Sequence, residues 1–506
     1  MTPHPGTGAG GRLGAPVPLW SDEAVASMHG AALEVLSRAG VKVPSQAVRD
    51  LLAEAGCRPG DGDRMTIPAE VVAAALEACP PSFTLKARGE EADLTIDAEP
   101  GPVYVHNMGE VAMLLDARTG TPRQALFADQ VAAGRVMHNL RHQRSVNPLL
   151  SPQDVPGELL PLYSYLALAT QTDKYLGGPG ISLAAQAGQL AEMAAVVTGG
   201  GGDSCSLDVA FSPVPPLQLG SEVSEGLVAA ARAGLVCEAL PCPSMGTTAP
   251  APLAAALAQQ HAEVLAAVVV VQTVNPGTPV YYGARLLPGD PRTGAAVWGR
   301  PVLGLCAAGA TLLARRCGLA CDCYGLATDA MLLDAQNGYE RALNGLLGAL
   351  ARPRFLSGVG SLHSVVAAGL EQLEVDDEVL GYVLYAIEER PWDDEALDVD
   401  ALVEGALAGT FLGVKQTRRY LRSEACPSAL SYPHGLQEWL AAGAPSVVDR
   451  AEARLREHLA TPAPDLPAGV EEELCGIIDR AARSYGLPEW PDPRRLLAEA
   501  RSALEG

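Results

Sequence analysis

The feature that most constrains this chain is a repeated alternation of short apolar strands with long helical segments rich in Ala and Leu. The predicted strands are 145–147, 175–178, 207–211, 235–240, 279–283, 319–324 and 354–357. Seven strand–helix units are visible, and an eighth is poorly marked after a helix near 376–389. Alternating strands and helices predict a parallel sheet, and this number of units favours an α/β fold of the (β/α)8 TIM-barrel type. No glycine-rich phosphate-binding sequence follows a strand, so a nucleotide-binding fold has no support.

The rest of the chain divides around this barrel. Residues 1–20 are rich in Gly and Pro and predict a disordered tail. Residues 21–124 predict an N-terminal cap of three helices and β-hairpins, with Ser21 as the first helix N-cap. Residues 125–440 form the predicted barrel, and residues 441–506 form a predicted C-terminal helical extension.

Composition excludes some classes of partner. The formal net charge of −23 argues against binding to nucleic acid or to an anionic membrane, since phosphate contacts need basic clusters. We expect no signal peptide, and the most apolar run, Val264 to Val271, is too short to span a bilayer. Eleven cysteines without a CxxC spacing predict reduced thiols in a cytoplasmic protein.

The best candidate for a catalytic corner is the stretch from Cys321 to Glu340. It predicts a buried strand, a loop and a helix, and polar side chains including Asp329 and Gln336 crowd the turn. Ligands bind beyond the carboxyl ends of barrel strands, so this corner is where a pocket is expected. An aspartate near a helix start is also a common cap, and Asp329 or Asp334 could serve only that purpose.

Other candidates lie on or near neighbouring strands. Tyr281 and Tyr282 are adjacent on one strand, so one must face the barrel interior and the other the surrounding helices. The inward ring could stack on a cation, and Arg285 could pair with a substrate carboxylate; a core tyrosine and a surface arginine are the alternative. Glu263 lies in a long apolar helix, where a carboxylate is costly unless it is paired or lines a cavity.

Three histidines are less specific signals. His106 is predicted at a hairpin tip in the cap, where it could lean over the barrel mouth or be an ordinary turn residue. His363 follows a predicted barrel strand and is a candidate pocket residue. His261 could equally cap a helix or lie on the surface.

Several blocks in order carry a resemblance to a known family. They are residues 36–43 (LSRAGVKV), 67–72 (IPAEVV), 244–250 (SMGTTAP), 262–266 (AEVLA), 275–283 (NPGTPVYYG), 328–340 (TDAMLLDAQNGYE), 371–373 (EQL) and 415–418 (KQTR). On these blocks the chain resembles the trimethylamine methyltransferase family over roughly residues 21 to 439. It departs from the usual pattern at His261, Leu326 and Met331.

The resemblance implies a barrel enzyme that presents a methylated amine to a corrinoid (cobalamin) carried by a partner protein, whose reduced cobalt attacks the methyl carbon. Founding members carry pyrrolysine where this chain has Ala327. Alanine supplies no electrophilic imine, and relatives without pyrrolysine look like demethylases of quaternary amines such as glycine betaine. A quaternary ammonium leaves as a neutral amine and needs no acid, so the expected substrate is a betaine-like quaternary amine, with a tertiary amine less suited.

The resemblance also suggests roles for the candidate residues. Asp329, Glu263 and Gln336 would line the methyl-transfer pocket, and Ala327 would mark it. The ammonium would contact Tyr324 together with Tyr281 or Tyr282, and the substrate carboxylate would pair with Arg285 or His363. The chain is also expected to form a homo-oligomer.

Two alternative functions remain open at this stage. One is zinc-assisted thiol methylation through Cys321, Cys323 or Cys306. Alternation within the strand makes Cys321 and Cys323 face the same way, but two thiols are too few for a zinc site. The other is a non-catalytic protein that binds a quaternary amine.

Overall fold

The computed structural model describes residues 19–89, 92–200, 205–390, 393–426 and 428–505. The predicted tail therefore lies outside the described residues, apart from its last two positions. In chain order the helices are α1 (Asp22–Arg38), α2 (Gln46–Glu54), α3 (Ala69–Ala78), α4 (Phe127–Asn139), α5 (Leu160–Ala169), α6 (Ala184–Thr198), α7 (Ser221–Arg232), α8 (Leu253–Val274), α9 (Val302–Arg316), α10 (Ala335–Leu350), α11 (Leu370–Ile387), α12 (Val399–Ala408), α13 (Lys415–Tyr420), α14 (Leu436–Ala441), α15 (Val447–Ala460), α16 (Val470–Ser484) and α17 (Pro493–Glu505).

The strands, in the same order, are β1 (Val41–Lys42), β2 (Arg58–Pro59), β3 (Arg64–Thr66), β4 (Ser82–Leu85), β5 (Leu94–Asp97), β6 (Tyr104–Asn107), β7 (Met113–Leu115), β8 (Pro122–Gln124), β9 (Ser145–Val146), β10 (Tyr175–Leu176), β11 (Asp208–Phe211), β12 (Val236–Ala239), β13 (Val280–Ala284), β14 (Cys321–Tyr324), β15 (Phe355–Val359), β16 (Ser361–Leu362) and β17 (Ala367–Ala368).

A curled parallel sheet forms the centre of this mixed α/β fold. Its six strands run in the order β11–β12–β13–β14–β15–β6, and each adjacent pair is parallel. β9 and β10 form a separate parallel pair. Parallel neighbours need crossover connections, and the helices α7 to α10 supply them within the sheet. The strands predicted from 207 to 357 are therefore confirmed as consecutive members of one sheet.

The last neighbour in this sheet differs from expectation. The strand beside β15 is β6, which precedes all seven predicted strands in the sequence and lies within the range predicted for the cap. The expected extra strand after 376–389 is not present in the described residues, where α11 is followed by α12, α13 and α14. A local pattern cannot show that two strands about 250 residues apart are neighbours, because only the folded sheet brings them together.

A β-hairpin closes the amino end of the curled sheet. β4 pairs with β5, and Leu85, Leu94 and Ile96 are fully buried. They form one apolar cluster with residues at the starts of barrel strands, including Val236 and Phe355. This hairpin plug leaves the carboxyl ends of the strands as the face through which a ligand can reach the interior.

The N-terminal helices cover one side of the fold. α1, α2 and α3 pack against α8, and Ser21 caps α1 by accepting a hydrogen bond from the backbone of Ala24 at 3.2 Å, as predicted. α8 contains the apolar run from Val264 to Val271 but extends over 22 residues with a mean hydropathy of 1.5, long and apolar enough to cross a bilayer. Because 83% of an 18-residue apolar stretch within α8 is buried inside the protein, α8 has the character of a core helix.

Candidate active site

A narrow cavity lies inside the curled sheet. It has room for about one water molecule, with a volume of about 10 Å³. Polar and aromatic side chains share its lining, which consists of His106, Ser145, Asn147, Tyr175, Asp208, Glu238, Tyr281, Asp322 and Phe355. Three of these residues carry carboxyl groups, although parallel strands covered on both faces are usually apolar throughout.

The pleat of the strands brings these side chains to the interior. Glu238 pairs in register with Tyr281, and Asp322 with Phe355, so the inward positions lie at similar heights on neighbouring strands. Alternation sends Tyr281 to the cavity and Tyr282 to the helices, where its hydroxyl lies 3.2 Å from Nδ1 of His261. The prediction that one tyrosine faces each way is confirmed.

Arg285 is held over this cavity by two carboxyl groups. Its Nη2 lies 2.6 Å from Oδ2 of Asp322 and 3.5 Å from Oε1 of Glu238. Its guanidinium carbon stands 4.3 Å from the centre of the Tyr324 ring, and the side chain is only 4% exposed. In this structure the charge of Arg285 is therefore paired with the protein's own carboxyl groups. The face of the Tyr324 ring is covered by the Arg285 guanidinium.

His106 approaches Asp322 from the opposite side. Its Nε2 lies 3.1 Å from Oδ2 of Asp322, and its Nδ1 lies 2.7 Å from the carbonyl oxygen of Asn107. His106 was expected at a hairpin tip, but it lies in the middle of the parallel strand β6 and lines the cavity. The pairing of β6 with β15 is what carries it there.

The three carboxyl groups differ in protonation. Burial tends to raise the pKa of Asp322, but Arg285 and then His106 hold that pKa well below its usual range. Burial, reinforced by the charge of Asp322, raises the pKa of Glu238 well above its usual range. Burial also raises the pKa of Asp208 to about 6, although the Tyr175 hydroxyl donates to its Oδ1 at 2.6 Å. At neutral pH the cavity thus holds Asp322 and most of Asp208 ionised.

Two cavity atoms lack a hydrogen-bond partner among the described residues. They are the Tyr281 hydroxyl and Oδ1 of Asp322. Buried polar atoms are nearly always satisfied in folded proteins, so a pair of unsatisfied atoms in one cavity points to a bound molecule. A hydrogen-bonding ligand would satisfy both atoms, and a cation would offset the charge of the Asp322 carboxylate.

The predicted catalytic stretch around Asp329 holds neighbouring loops together through hydrogen bonds. The carboxylate of Asp329 accepts hydrogen bonds from the backbone of Trp298 at 2.8 Å and of Gly299 at 3.1 Å, and from the Ser364 hydroxyl at 2.7 Å. Glu340 accepts from the backbone of Asp329 at 2.9 Å and from Nε2 of Gln336 at 2.9 Å. The structure does not bring Asp329 or Gln336 into the cavity lining.

Other predicted residues also lie away from this lining. Ala327 is fully buried in the loop that follows β14. His363 is half-buried with a left-handed backbone, φ 49°, and its backbone donates to the carbonyl of Ala330 at 2.9 Å. Asp334, rather than Asp329, caps α10 by accepting from the backbone of Asn337 at 3.1 Å.

Glu263 supports a loop on the outer side of the sheet. Its Oε1 accepts hydrogen bonds from the backbone of Leu217 at 2.8 Å and from Gln259 at 3.1 Å, while its Oε2 has no partner among the described residues. Burial raises its pKa to about 7, against an ordinary value of 4.5. Leu217 has a left-handed backbone, φ 53°, so the Glu263 contact holds a conformation that is unfavourable for leucine.

The Glu263→Gln variant is expected to be more stable than the wild type at pH 8, by at most about 3 kcal/mol, and less so at pH 5. The folded protein keeps the Glu263 proton up to a pH of about 7, whereas the unfolded chain releases it near 4.5, so the wild type loses stability as the pH rises through this window. Glutamine keeps the acceptor oxygen without titrating. Urea unfolding at both pH values measures the difference.

Equal effects of Glu263→Gln at both pH values would contradict this account of Glu263. Loss of activity in a variant that folds normally would instead support its predicted catalytic role.

The cysteines of the alternative thiol chemistry lie outside the cavity. Cys321 and Cys323 belong to the apolar core between the sheet and the helices, and they face the same way as predicted. Burial raises the pKa of Cys321 and of Cys306 well above the ordinary value for a thiol. Of the described residues, His29, His261 and Cys317 form a group with the spacing of a metal site, and none of the three predicted cysteines belongs to it.

Sequence reasoning missed all three carboxyl residues of the cavity, Asp208, Glu238 and Asp322, and it did not single out Ser145, Asn147, Tyr175 or Phe355. Each carboxyl residue lies within a short strand whose other residues are mostly apolar, as in the sequence Cys321-Asp322-Cys323. An ionisable residue in a strand that is buried on both faces must be paired or face a cavity, and this signal was available.

Comparisons with known proteins give a consistent picture. Residues 12–486 match the family described as trimethylamine methyltransferase (MTTB). The trimethylamine methyltransferase MttB of Desulfitobacterium hafniense is 28% identical over 474 residues, which cover 92% of this chain and 95% of that protein. The glycine betaine methyltransferase of the same species, strain Y51, is 27% identical over 477 residues, covering 92% of this chain and 97% of its own.

A further relative and a solved structure are also similar to this chain. The MttB protein of Methanosarcina barkeri is 26% identical over 485 residues, covering 92% of this chain and 96% of that protein. The crystal structure of the monomethylamine methyltransferase of Methanosarcina barkeri superposes with a TM-score of 0.46 at 14% identity, covering 88% of this chain and 95% of that chain.

Proposed function

Since the chain belongs to the trimethylamine methyltransferase family, we propose that it is a methyltransferase that removes a methyl group from a betaine-like quaternary amine and passes it to a corrinoid protein. Relatives named for trimethylamine and for glycine betaine match it over nearly its whole length. Their names alone do not decide between a tertiary and a quaternary amine, so the choice depends on the chemistry of the cavity and of Ala327.

The observation that carries the proposal is the buried acidic cavity with aromatic walls. Asp322 and Asp208 supply negative charge, and the rings of Tyr281, Tyr175 and Phe355 supply faces on which a methylated ammonium can stack. The unpartnered oxygens of Asp322 and Tyr281 point to a ligand in the same place. A cation is the class of ligand that this combination favours.

Ala327 favours a quaternary amine. A methyl group leaves a quaternary ammonium as the nitrogen becomes a neutral amine, so no proton donor is needed on the nitrogen. Ala327 carries no group that could activate a tertiary amine, and it is fully buried in its loop. The protein's contribution is then to orient the methyl group and to exclude water from a cation that loses its charge during the reaction.

We propose that the strands close into a (β/α)8 barrel beneath an N-terminal cap. The backbone of Arg144 donates to the carbonyl of Val105 at 3.0 Å, which connects the segment before β9 to β6. Near β11, the Tyr175 hydroxyl of β10 reaches Asp208. These contacts support β9 and β10 as the pair that completes the ring, with the cap proposed over residues 21–124 apart from the barrel strand β6, and a helical extension over 441–506.

A methylated ammonium is larger than the present cavity. Binding therefore requires side chains at the carboxyl ends of the strands to move apart, and Asn147, which is half-buried at the lining, is one of those nearest to solvent. Arg285 and Tyr324 cover the cavity at the same end. We expect the amine to displace this cover and to take over part of the charge pairing of Asp322.

The corrinoid supplies a reduced cobalt nucleophile for the methyl group, and we propose that a partner protein carries it. Membership of the trimethylamine methyltransferase family supports this division, and the carboxylates and rings of the cavity match the amine. Asp322, Asp208 and Tyr281 would hold the ammonium and turn one methyl group toward the carboxyl ends of the strands.

Two features of the protein outside the cavity bear on its location and on its partners. All eleven cysteines are free, in accordance with the proposed cytoplasmic location. Helices α12 and α14 expose large apolar side chains, which supports contacts with a second copy or with the corrinoid protein; they include Leu402, Leu407, Leu436 and Leu440.

The function is tested by a methyl-transfer assay with a panel of amines. Purified protein is mixed with free cob(I)alamin and with glycine betaine, a carnitine-like compound or trimethylamine. We expect the spectral change to methylcobalamin only when both the protein and one quaternary amine are present. Activity with trimethylamine alone would overturn the choice of a quaternary substrate. No transfer with any amine, together with saturable binding of one of them, would select a non-catalytic binder.

Amine binding should weaken as the pH falls through about 6. Burial places the pKa of Asp208 there, so acid removes one of the negative charges that face the ammonium. The Asp208→Asn variant should bind more weakly at pH 7.5, and its affinity should change little between pH 7.5 and 5.5. Calorimetric titration at both pH values measures this. A wild-type affinity that is independent of pH would contradict a role for Asp208.

A further inference from the structure

Two histidines and a cysteine meet where three helices pack together, away from the cavity. His29 lies on α1, His261 on α8, and Cys317 directly follows α9. Nδ1 of His29 lies 2.8 Å from Nε2 of His261, and Sγ of Cys317 lies 3.8 Å from each of these nitrogens. We call this group the His29–His261–Cys317 cluster.

The packing of the helices fixes the cluster. α1 contacts both α8 and α9, so the N-terminal helices and the helices of the sheet meet at this point. His261 is fully buried, and His29 and Cys317 are half-buried. His261 was expected as a possible cap or surface residue, but the covering N-terminal helices place it in the interior.

From this geometry we propose that the His29–His261–Cys317 cluster binds a divalent transition-metal ion, with zinc the preferred ion. Two imidazole nitrogens and a thiolate are ligands that zinc favours. Around tetrahedral zinc, nitrogen donors lie about 3.3 Å apart, and nitrogen and sulfur about 3.6 Å apart. The two nitrogens need to separate by about half an ångström from their hydrogen-bonded distance, and the sulfur needs to move inward by less.

The protonation of the histidines suits a metal ligand. Burial, and then His29, lowers the pKa of His261 to about 3, so its imidazole is neutral at ordinary pH. Burial lowers the pKa of His29 as well. The Tyr282 hydroxyl, 3.2 Å from Nδ1 of His261, can fix the ring so that Nε2 presents its lone pair to the ion.

Cys317 would release its proton on binding the ion. Without an ion, burial raises the pKa of this thiol to about 12. Arg316 lies close enough to lower the pKa of both histidines, so its positive charge would also repel a bound cation. The negative charge of the Cys317 thiolate that forms on binding offsets this repulsion.

A fourth ligand position can be filled in one of two ways. Cys79, which follows α3 and raises the pKa of Cys317, would complete a two-histidine, two-cysteine set if the end of α3 moved toward the cluster. Otherwise a water molecule completes the tetrahedron. In either case the ion joins α1 to α8 and α9 and stabilises the attachment of the N-terminal helices.

The test uses the full chain, stripped with a chelator and reloaded with Zn(II) or Co(II) alone. After dialysis we expect about one zinc per chain by elemental analysis. The Co(II) form should show a thiolate-to-cobalt charge-transfer band in the near ultraviolet and visible bands of a four-coordinate ion. The Cys317→Ser variant should lose the charge-transfer band, and His261→Asn should reduce zinc binding at least tenfold.

The matched control is Cys57→Ser, because Cys57 is another buried thiol of the N-terminal region. This variant should keep the stoichiometry and the spectrum of the wild type. Cys321→Ser distinguishes the cluster from the thiols of β14 and should also bind normally.

Absence of stoichiometric zinc in the reloaded wild type would overturn the proposal, and the two histidines would then share only a hydrogen bond. A charge-transfer band that persists in Cys317→Ser would also overturn it. Because these readouts need no amine and no corrinoid, they stand or fall separately from the proposed methyl transfer.

Discussion

Asn in place of Asp322 is expected to lower kcat/KM for methyl transfer by about a hundredfold to a thousandfold, since truncating one partner of a buried charge pair with a ligand costs about 2–5 kcal/mol of binding. Asp322 is the carboxylate that both Arg285 and His106 approach, and its Oδ1 is free to meet a ligand. With asparagine there, Arg285 retains only Glu238, whose pKa should fall so that it ionises in place of Asp322. The negative charge of the cavity would then lie on Glu238 and not at position 322, where the amine is expected to bind.

The assay is methyl transfer to cob(I)alamin over a range of amine concentrations, with near-ultraviolet circular dichroism to check the fold. Asp50→Asn, an exposed change on α2, is the matched control and should leave kcat/KM unchanged. If Asp322→Asn does not fold, Tyr281→Phe replaces it, because that change removes only the unpartnered hydroxyl. We expect at least a tenfold loss in Tyr281→Phe. Near wild-type activity in either folded variant would show that this cavity is not the site.

Replacement of Arg341 with methionine is expected to destabilise the protein by about 3–5 kcal/mol. Arg341 and Asp376 are both fully buried, and Nη1 of Arg341 lies 2.9 Å from Oδ1 of Asp376. The same guanidinium donates to the carbonyl oxygens of Leu326 and Ser361, so it joins α10 to the loop that follows β14 and to β16. Methionine leaves the carboxylate and both carbonyls without their partner.

The loss of stability in Arg341→Met should increase as the pH rises. Burial already raises the pKa of Asp376 to about 6 even though Arg341 opposes it. Without Arg341 this pKa rises further above its value in the unfolded chain. The folded state then keeps a proton that the unfolded state releases, so stability falls as the pH rises through that window. Urea unfolding at pH 5.5 and pH 8 measures both the loss and its pH dependence.

Two further variants define the origin of the effect. Arg495→Met removes an exposed ion pair with Glu499 and should leave the unfolding midpoint unchanged. The double variant Arg341→Met/Asp376→Leu removes both charges and should recover much of the stability lost in the single variant. A single variant as stable as the wild type would show that the buried pair contributes nothing to folding.

The architecture was largely predictable because it depends on local pattern. Short apolar strands separated by long helices are a repeated signal, and the opposite orientations of Tyr281 and Tyr282 follow from the pleat alone. The position of β6 was not predictable in this way. Its partner β15 is distant in sequence, and His106 reaches the cavity only through that pairing.

The candidate site shows the same limit. The polar residues that crowd one turn predict a site at Asp329 and Gln336, but the structure uses that polarity to hold loops together. Glu263 was chosen as a carboxylate in an apolar helix, and its partner is a strained loop that sequence does not reveal. Asp322 carried a comparable signal inside a strand, and its convergence with Glu238 depends on the register of three strands.

The hairpin plug has a consequence for the order of events during turnover. Because β4 and β5 fill one end of the curled sheet, we expect substrate and product to pass through the other end, which would serve as the doorway. A methyl acceptor that docks over that doorway blocks it while transfer takes place. If the proposed acceptor docks in this way, we expect the amine to bind before the acceptor and the demethylated product to leave after it. An ordered binding and release of amine, acceptor and product is therefore the expected consequence of the hairpin that closes the amino end of the sheet.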